Sequence, residues 1–261
     1  MTDAAEPLVE IRAEGAVSVI ALRRERKLNA LSVALEAALD EALDRPEVHD
    51  ARAVVITGGA RAFSAGADVA ELRDADPAAI LAYYRATGAV YERVAALAQP
   101  TVAAIAGWCL GGGFELALAC DFRVAEATAT FGLPEVAIGI LPSSGGTHRL
   151  VALVGAARAK ELVLLRERVT ARQAAGLGVV TDVVARGAAL EHALGLARRL
   201  AELPPLAVAV AKQAIDAMPA TSRDAALTIE RLGYGMLAQT ADAREAALAF
   251  TEKRPPRFEG R

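Results

Sequence analysis

The chain has 261 residues, 54% of them hydrophobic and 23% charged, enough to build one large domain or a domain with a small appendage. A formal net charge of -3 provides no broad positive field for a phosphate backbone, and no uninterrupted apolar run reaches the roughly 18 residues of a membrane span, so neither nucleic acid nor membrane is expected as a partner. Cys109 and Cys120 lie in apolar sequence outside any CxxC or metal-like spacing, and the acidic N-terminus lacks a basic-then-apolar leader, which together point to a soluble cytoplasmic protein without a metal site.

LVEIR at 8–12 and VSVIAL at 17–22, separated by AEGA, predict a hairpin of two short strands. Ser32 is placed to cap a helix, VALEAALDEALD, that ends near Pro46. The β-branched run AVVIT at 53–57 breaks at Gly58-Gly59 and reads as a buried strand. After the glycine-rich RAFSAGADV comes a helical stretch through ILAYYRATGAVYERVAAL, closed by Pro100, and TVAAIAG is the next buried strand. FRVAE, TATFGLPEVA and a third glycine-rich segment, LPSSGGTHRL, continue the pattern, followed by helices and a short VVTDVV strand. From position 188 onward only helical patterns remain. The alternation argues for an α/β core, and the helical tail for a smaller module packed on it or on a neighbouring subunit, which divides the chain at about 1–200 and 201–261.

The glycine-rich loops invite a phosphate-binding reading, which fails. Gly107 to Gly112 has P-loop spacing but is followed by Gly113 and Phe114, and Gly111-x-Gly113 meets Leu116 where the dinucleotide fingerprint needs glycine. AFSAG around Ser64 resembles a nucleophile elbow with its first glycine replaced, and of the three histidines only His148 sits beside another glycine-rich loop. What such loops offer without Lys or Ser is backbone N–H groups, and two turns leading into helices can aim two amides at one oxygen that becomes negative. Glycines that merely permit tight turns are the plainer alternative.

Glu115 stands in the apolar run GWCLGGGFELALACD, where burial disfavours the charged form; it is either paired with an arginine such as Arg123 or Arg149, or used chemically. Glu135 follows Pro134 and precedes VAIGIL, and by itself reads as an acid at a helix start. Taken together, the two carboxyls suit shared acid and base work on one water.

These residues resemble the crotonase superfamily, the enoyl-CoA hydratase/isomerase family. The resemblance rests on LNAL at 28–31, AFSAGADV at 62–69, GWCLGGGFELALACD at 107–121, FGLPEVAIGILPSSGGTHRL at 131–150 and FTEKRPPRF at 250–258, in the family's order and across nearly the whole chain. It implies a spiral of ββα repeats with a C-terminal helical trimerisation region, assembled as trimers or paired trimers. It implies a coenzyme A thioester as substrate, with no separate cofactor, and an oxyanion hole at the N–H groups of Ala67 and Gly112. Glu115 and Glu135 fall on the family's catalytic pair, and the reaction implied is reversible syn hydration of a trans-2-enoyl-CoA to a 3-hydroxyacyl-CoA in lipid or related acyl-CoA metabolism.

By the same resemblance Arg26 and Lys27 face the coenzyme A 3'-phosphate, with Leu28 and Ala30 beside them and the Ala65 carbonyl at the adenine. Gly66, Gly111 and Pro134 line the thioester site, and Phe250 and Lys253 approach the ligand, often across subunits. Asp68 belongs to the binding loop and reads as a helix cap rather than a catalyst. Trp108 is core by default, yet stands where it would narrow the acyl pocket. Ala106, Trp108, His148 and the Ser143-Ser144 pair depart from the family pattern, which bears on chain length and pathway. Other reactions of the family, enoyl-CoA isomerisation and ring or thioester hydrolysis, use one dominant glutamate; a non-catalytic binding protein, for coenzyme A or RNA, is the alternative of a different class.

Overall fold

The structure, a computed structural model, describes residues 7–72 and 76–261. Two strands, β1 (Val9–Glu14) and β2 (Val17–Leu22), form the expected antiparallel hairpin, turned at Gly15 with φ of 68°. Ser32 caps helix α1 (Val33–Leu43), its Oγ accepting the Leu35 N–H at 3.2 Å. Pro46 does more than end that helix. It opens a short second one, α2 (Pro46–His49), where its fixed φ and missing N–H suit the first turn.

Three repeats follow. The first is β3 (Ala53–Thr57), β4 (Ala62–Ser64), α3 (Val69–Leu72) and α4 (Pro77–Ala95). The second is β5 (Thr101–Ile105), β6 (Trp108–Leu110) and α5 (Gly112–Ala119). The third is β7 (Phe122–Glu126), β8 (Thr130–Gly132), a 3-10 turn over Glu135–Ile138, and α6 (Gly146–Leu164). In each, the first strand joins a six-stranded sheet ordered β1-β2-β3-β5-β7-β10 and the second joins a four-stranded sheet ordered β4-β6-β8-β9. The chain thus climbs as a spiral of ββα units, with β2, β3, β5 and β7 parallel in one sheet and β4, β6 and β8 parallel in the other. Leu31 takes the equivalent step ahead of them through an isolated parallel bridge to Ala67. The smaller sheet escapes sequence analysis because three-residue strands carry no measurable alternation.

The spiral closes with β9 (Val169–Thr170), α7 (Ala171–Gly176), β10 (Asp182–Val184) and α8 (Ala189–Ala201). One face of the large sheet packs Val19, Val55 and Val102 against Ala193, Leu194 and Ala197 of α8. Its other face, with Ile20 and Ile56, meets Phe63, Phe114 and Leu116 in the main core, where the rings of Phe114 and Phe131 contact edge to face. The helices α9 (Pro205–Ala217), α10 (Arg223–Leu237) and α11 (Ala241–Glu252) follow, and neither α9 nor α10 contains a buried residue. Polar ties hold this tail to the spiral: Lys212 pairs with Asp121 at 2.9 Å, and Arg52 donates to the carbonyls of Phe258 and Leu203.

Candidate active site

The site begins where two glycine-rich turns meet backbone to backbone. Gly66 has φ of 98°, and a Cβ there would lie 3.0 Å from the Leu110 carbonyl oxygen and 3.5 Å from the Gly112 nitrogen. At Gly113 a Cβ would stand 2.6 Å from Ser64 Cβ. Only glycine permits that approach. Asn29, fully buried at φ 51°, fastens the first turn by donating its side-chain amide to the carbonyls of Ala62 and Phe63.

This packing leaves two amides free. In the bridge to Leu31, the Leu31 N–H donates to Gly66 O at 2.8 Å and the Asp68 N–H to Leu31 O at 2.9 Å, so the bonds use the neighbours of Ala67 and not its own N–H. Gly112 opens α5, where the first N–H groups have no intrahelical acceptor. Among the described residues neither N–H has a protein acceptor, and Ala67 N lies 3.8 Å from the Cβ position of Gly112. Two neighbouring donors, one at a helix N-terminus, can hold an oxygen that gains negative charge.

Glu115 is buried on α5, and its Oε1 accepts the N–H groups of Ser144 and Gly146, each at 2.8 Å. Burial pushes its carboxyl up, and these donors pull part of the way back. Neither arginine considered as a partner pairs with it. Arg123 is spent on the carbonyls of Val179, Ala117 and Cys120, and Arg149 on Ser144 O and the Glu92 carboxylate. Glu135 lies in the first turn of the 3-10 segment, where burial and the neighbouring charge of Glu115 push it from 4.5 up to about 7. Its Oε2 is buried without a hydrogen-bond partner, a cost retained where an oxygen is needed for something else. Gly111, with φ of 52°, brings the chain so close that a Cβ would stand 3.1 Å from Glu135 Oε1.

A single cavity of about 190 Å³ collects these groups: Ala65, Gly66, Ala67, Gly111, Gly112, Glu115, Pro134 and Glu135 all line it. The other sequence candidates lie elsewhere. Arg26 and Lys27 are exposed on a 3-10 turn, joined to the cavity loop by the Ala65 N–H to Leu28 O bond of 3.0 Å. Ala30 lends its carbonyl to Arg24, which also pairs at 2.7 Å with Asp68 and holds that carboxyl below the usual range. Asp68 also caps, accepting the Ala70 N–H at 3.3 Å.

Trp108 requires a correction. It is neither core nor a wall of this cavity: it is 37% exposed on β6, with the Arg168 guanidinium 5.3 Å from its ring centroid. Phe250, 87% exposed, and Lys253 do not line the cavity within one chain either. Ser64 is fully buried, donating to Asn29 O and accepting from Gly66 N, while all three histidines are exposed, which ends the hydrolase reading.

Leu31, Glu36, Tyr83, Tyr84, Thr87 and Tyr91 line the same cavity and lie outside the residues expected from the sequence. A signal existed. Tyr83, Thr87 and Tyr91 recur every four residues on α4, and Glu36 falls with Leu39 and Leu43 on the buried face of α1.

Residues 12–261 match the family profile described as Enoyl-CoA hydratase/isomerase. The 2,3-dehydroadipyl-CoA hydratase of Escherichia coli is 42% identical over 246 residues, covering 94% of this chain and 96% of the relative. The short-chain-enoyl-CoA hydratase of Clostridium acetobutylicum is 36% identical over 94% of this chain and 95% of its own. Among solved structures, the enoyl-CoA hydratase from Bacillus anthracis superposes with a TM-score of 0.92 at 37% identity, over 97% of this chain and all of that one. With the spiral, the paired free amides and the two buried carboxyls already in place, these likenesses make the chain a member of the enoyl-CoA hydratase/isomerase family.

Proposed function

We infer that the chain is an enoyl-CoA hydratase, adding water reversibly and syn across a trans-2-enoyl-CoA to give the 3-hydroxyacyl-CoA. The observation that carries this reading is the meeting of two unpaired backbone amides and two buried carboxyls in one cavity. Negative charge flows onto the thioester oxygen as C3 is attacked, and the N–H groups of Ala67 and Gly112 stabilise it; removing one such donor costs about 2.7 to 4 kcal/mol. Glu115, its Oε1 fixed by Ser144 and Gly146, takes a proton from the water through Oε2. Glu135, which holds its proton up to about pH 7, delivers one to C2. The two protons belong to the coupled pair rather than to either residue.

Coenzyme A enters as part of the substrate, so no resident cofactor is invoked. Arg26 and Lys27 are exposed where a phosphate can reach them. The tail, residues 201–261, serves docking between copies, and Phe250 and Lys253 serve the site of a neighbour in a trimer or hexamer. Among the described residues no helix is long and apolar enough to cross a membrane, and we place the enzyme in the cytoplasm.

The test follows the loss of the conjugated enoyl thioester absorbance with crotonyl-CoA, for the parent, Glu115→Gln and Glu135→Gln. Each variant is expected to lose about 10²- to 10⁴-fold in kcat. A parent that hydrates no enoyl-CoA across several chain lengths overturns the activity; undiminished variants overturn the site.

A further inference from the structure

The cavity holds a third carboxyl that the hydration chemistry does not use. Glu36 of α1 is only 5% exposed, yet it lines the same cavity as Glu115 and Glu135. Its partners are neutral hydroxyls from α4: Thr87 Oγ1 donates to Oε2 at 2.7 Å and Tyr91 OH to Oε1 at 3.3 Å, and the Tyr83 hydroxyl adds to them. Among the described residues no cation pairs with it, and no Lys, Arg or His lines the cavity. Burial pushes its carboxyl from 4.5 up to about 7, and the hydroxyl donors offset only part of that.

The position is close to the reacting end. The Tyr91 hydroxyl that donates to Glu36 lies 3.4 Å from the Cβ position of Gly112, so the third carboxyl is held beside the residue whose N–H is free. Tyr84, on the same wall, feels the charges of Glu115, Glu135 and Glu36 together. The remaining wall is apolar, from Val69, Ile138, Ile140 and Leu141.

We propose that Glu36, with Thr87 and Tyr91, is a specificity-determining subsite that selects enoyl chains bearing a neutral hydrogen-bond donor, a hydroxyl, and disfavours chains ending in a carboxylate. The Glu36 carboxyl has the Thr87, Tyr91 and Tyr83 hydroxyls beside it and still has hydrogen-bonding capacity left, so a ligand hydroxyl can pair with it, donating to the ionised form or accepting from the protonated one. A plain alkyl chain laid against Glu36 removes its remaining solvation and gives nothing back. An anionic tail can lie against these three carboxyls only while they keep their protons, and among the described residues the cavity's own lining offers it no cation. A pocket built to bond a hydroxyl discriminates strongly against the analogue that lacks it.

The proposal rests on the enoyl-CoA reading, and the experiment separates the two. Values of kcat/KM are measured for crotonyl-CoA, 2-hexenoyl-CoA, its 4-, 5- and 6-hydroxy derivatives, and 2,3-dehydroadipyl-CoA, with the parent, Glu36→Gln and Glu36→Leu. The parent is expected to favour at least one hydroxyhexenoyl-CoA over 2-hexenoyl-CoA by about tenfold, chiefly through KM, and to disfavour the dehydroadipyl substrate by as much. Glu36→Leu brings the hydroxy-to-plain ratio close to one, and Glu36→Gln raises the dehydroadipyl-to-plain ratio. Ratios within one variant cancel any general loss of activity, and Glu36→Gln, which keeps the shape, suffices if the leucine variant does not fold.

A parent that hydrates crotonyl- and hexenoyl-CoA but treats every tail alike overturns the subsite alone, as do ratios unmoved by the Glu36 variants. A parent that hydrates none of them overturns the activity and the subsite with it.

Discussion

At the scale of single residues, Glu115 and Glu135 are buried for different ends. Glu115 is fixed by two backbone donors on one oxygen, while Glu135 keeps an oxygen with no partner at all. Because Glu135 holds its proton up to about pH 7 in the free enzyme, kcat/KM for hydration should fall above that pH as the proton is lost. In Glu135→Gln the alkaline limb should vanish, leaving a low, flat profile; an unchanged limb would assign it to another group. The glycines are equally specific. Gly113→Ala puts a Cβ 2.6 Å from both Cβ and the backbone oxygen of Ser64, so the two turns must part. We expect a loss of about 1–3 kcal/mol in urea unfolding together with a lower kcat, since the free amides separate with the turns. Wild-type stability and turnover in that variant would show that the turns are not held by this contact.

At the scale of elements, α1 and α4 meet through a carboxyl and hydroxyls rather than through oil alone, and that contact makes stability depend on pH. Unfolded, Glu36 loses its proton near the ordinary value of 4.5; folded, it keeps the proton to about 7. The folded state therefore binds more protons between those values, so this contribution is whole below about pH 4.5, declines as pH rises and is gone above about 7. It is worth on the order of 3 kcal/mol, and Glu135 adds in the same direction. Urea midpoints at pH 5 and pH 8 should differ less in Glu36→Gln than in the parent; an equal difference would remove Glu36 from the account. Gly88, inside α4 with nothing within 4 Å of a Cβ, offers a contrast: Gly88→Ala should stabilise by about 0.5–1 kcal/mol.

The same pair of helices marks how far the sequence could be read. β3, β5 and β7 are legible because short β-branched or apolar runs end at glycine or polar residues, and Glu115 because no rotation of α5 exposes it. Glu36 was hidden by its neighbours: in VALEAALDEALD an acid every few residues reads as a solvated face, and only the docking of α4 decides which acid turns inward. Trp108 misleads for the opposite reason, since a large aromatic in an apolar string reads as core, yet on β6, an inner strand of the small sheet, it stays 37% exposed with the Arg168 guanidinium over its ring.

At the scale of the molecule, the C-terminal helices pose a problem of unsatisfied surface. Ile229, Leu232 and Met236 follow helical spacing on α10, and they are 37%, 70% and 56% exposed. Ile215 on α9 and Phe250 on α11 are open as well, at 68% and 87%. Isolated exposed apolar residues are ordinary, but a stripe along a helix with no buried face asks for a partner. We propose another copy of the chain as that partner, a reading under which Phe250 and Lys253, outside the cavity of their own chain, would lie beside a neighbour's site. The parent should therefore sediment as three or six chains of 27.1 kDa, and Leu232→Glu combined with Met236→Glu should shift it to smaller species. If the neighbour completes the site, kcat/KM falls in step with dissociation and recovers at high protein concentration, while the circular dichroism of the spiral is unchanged. A parent that sediments as a single chain with full activity would show instead that the stripe serves another partner and that one chain holds the whole site.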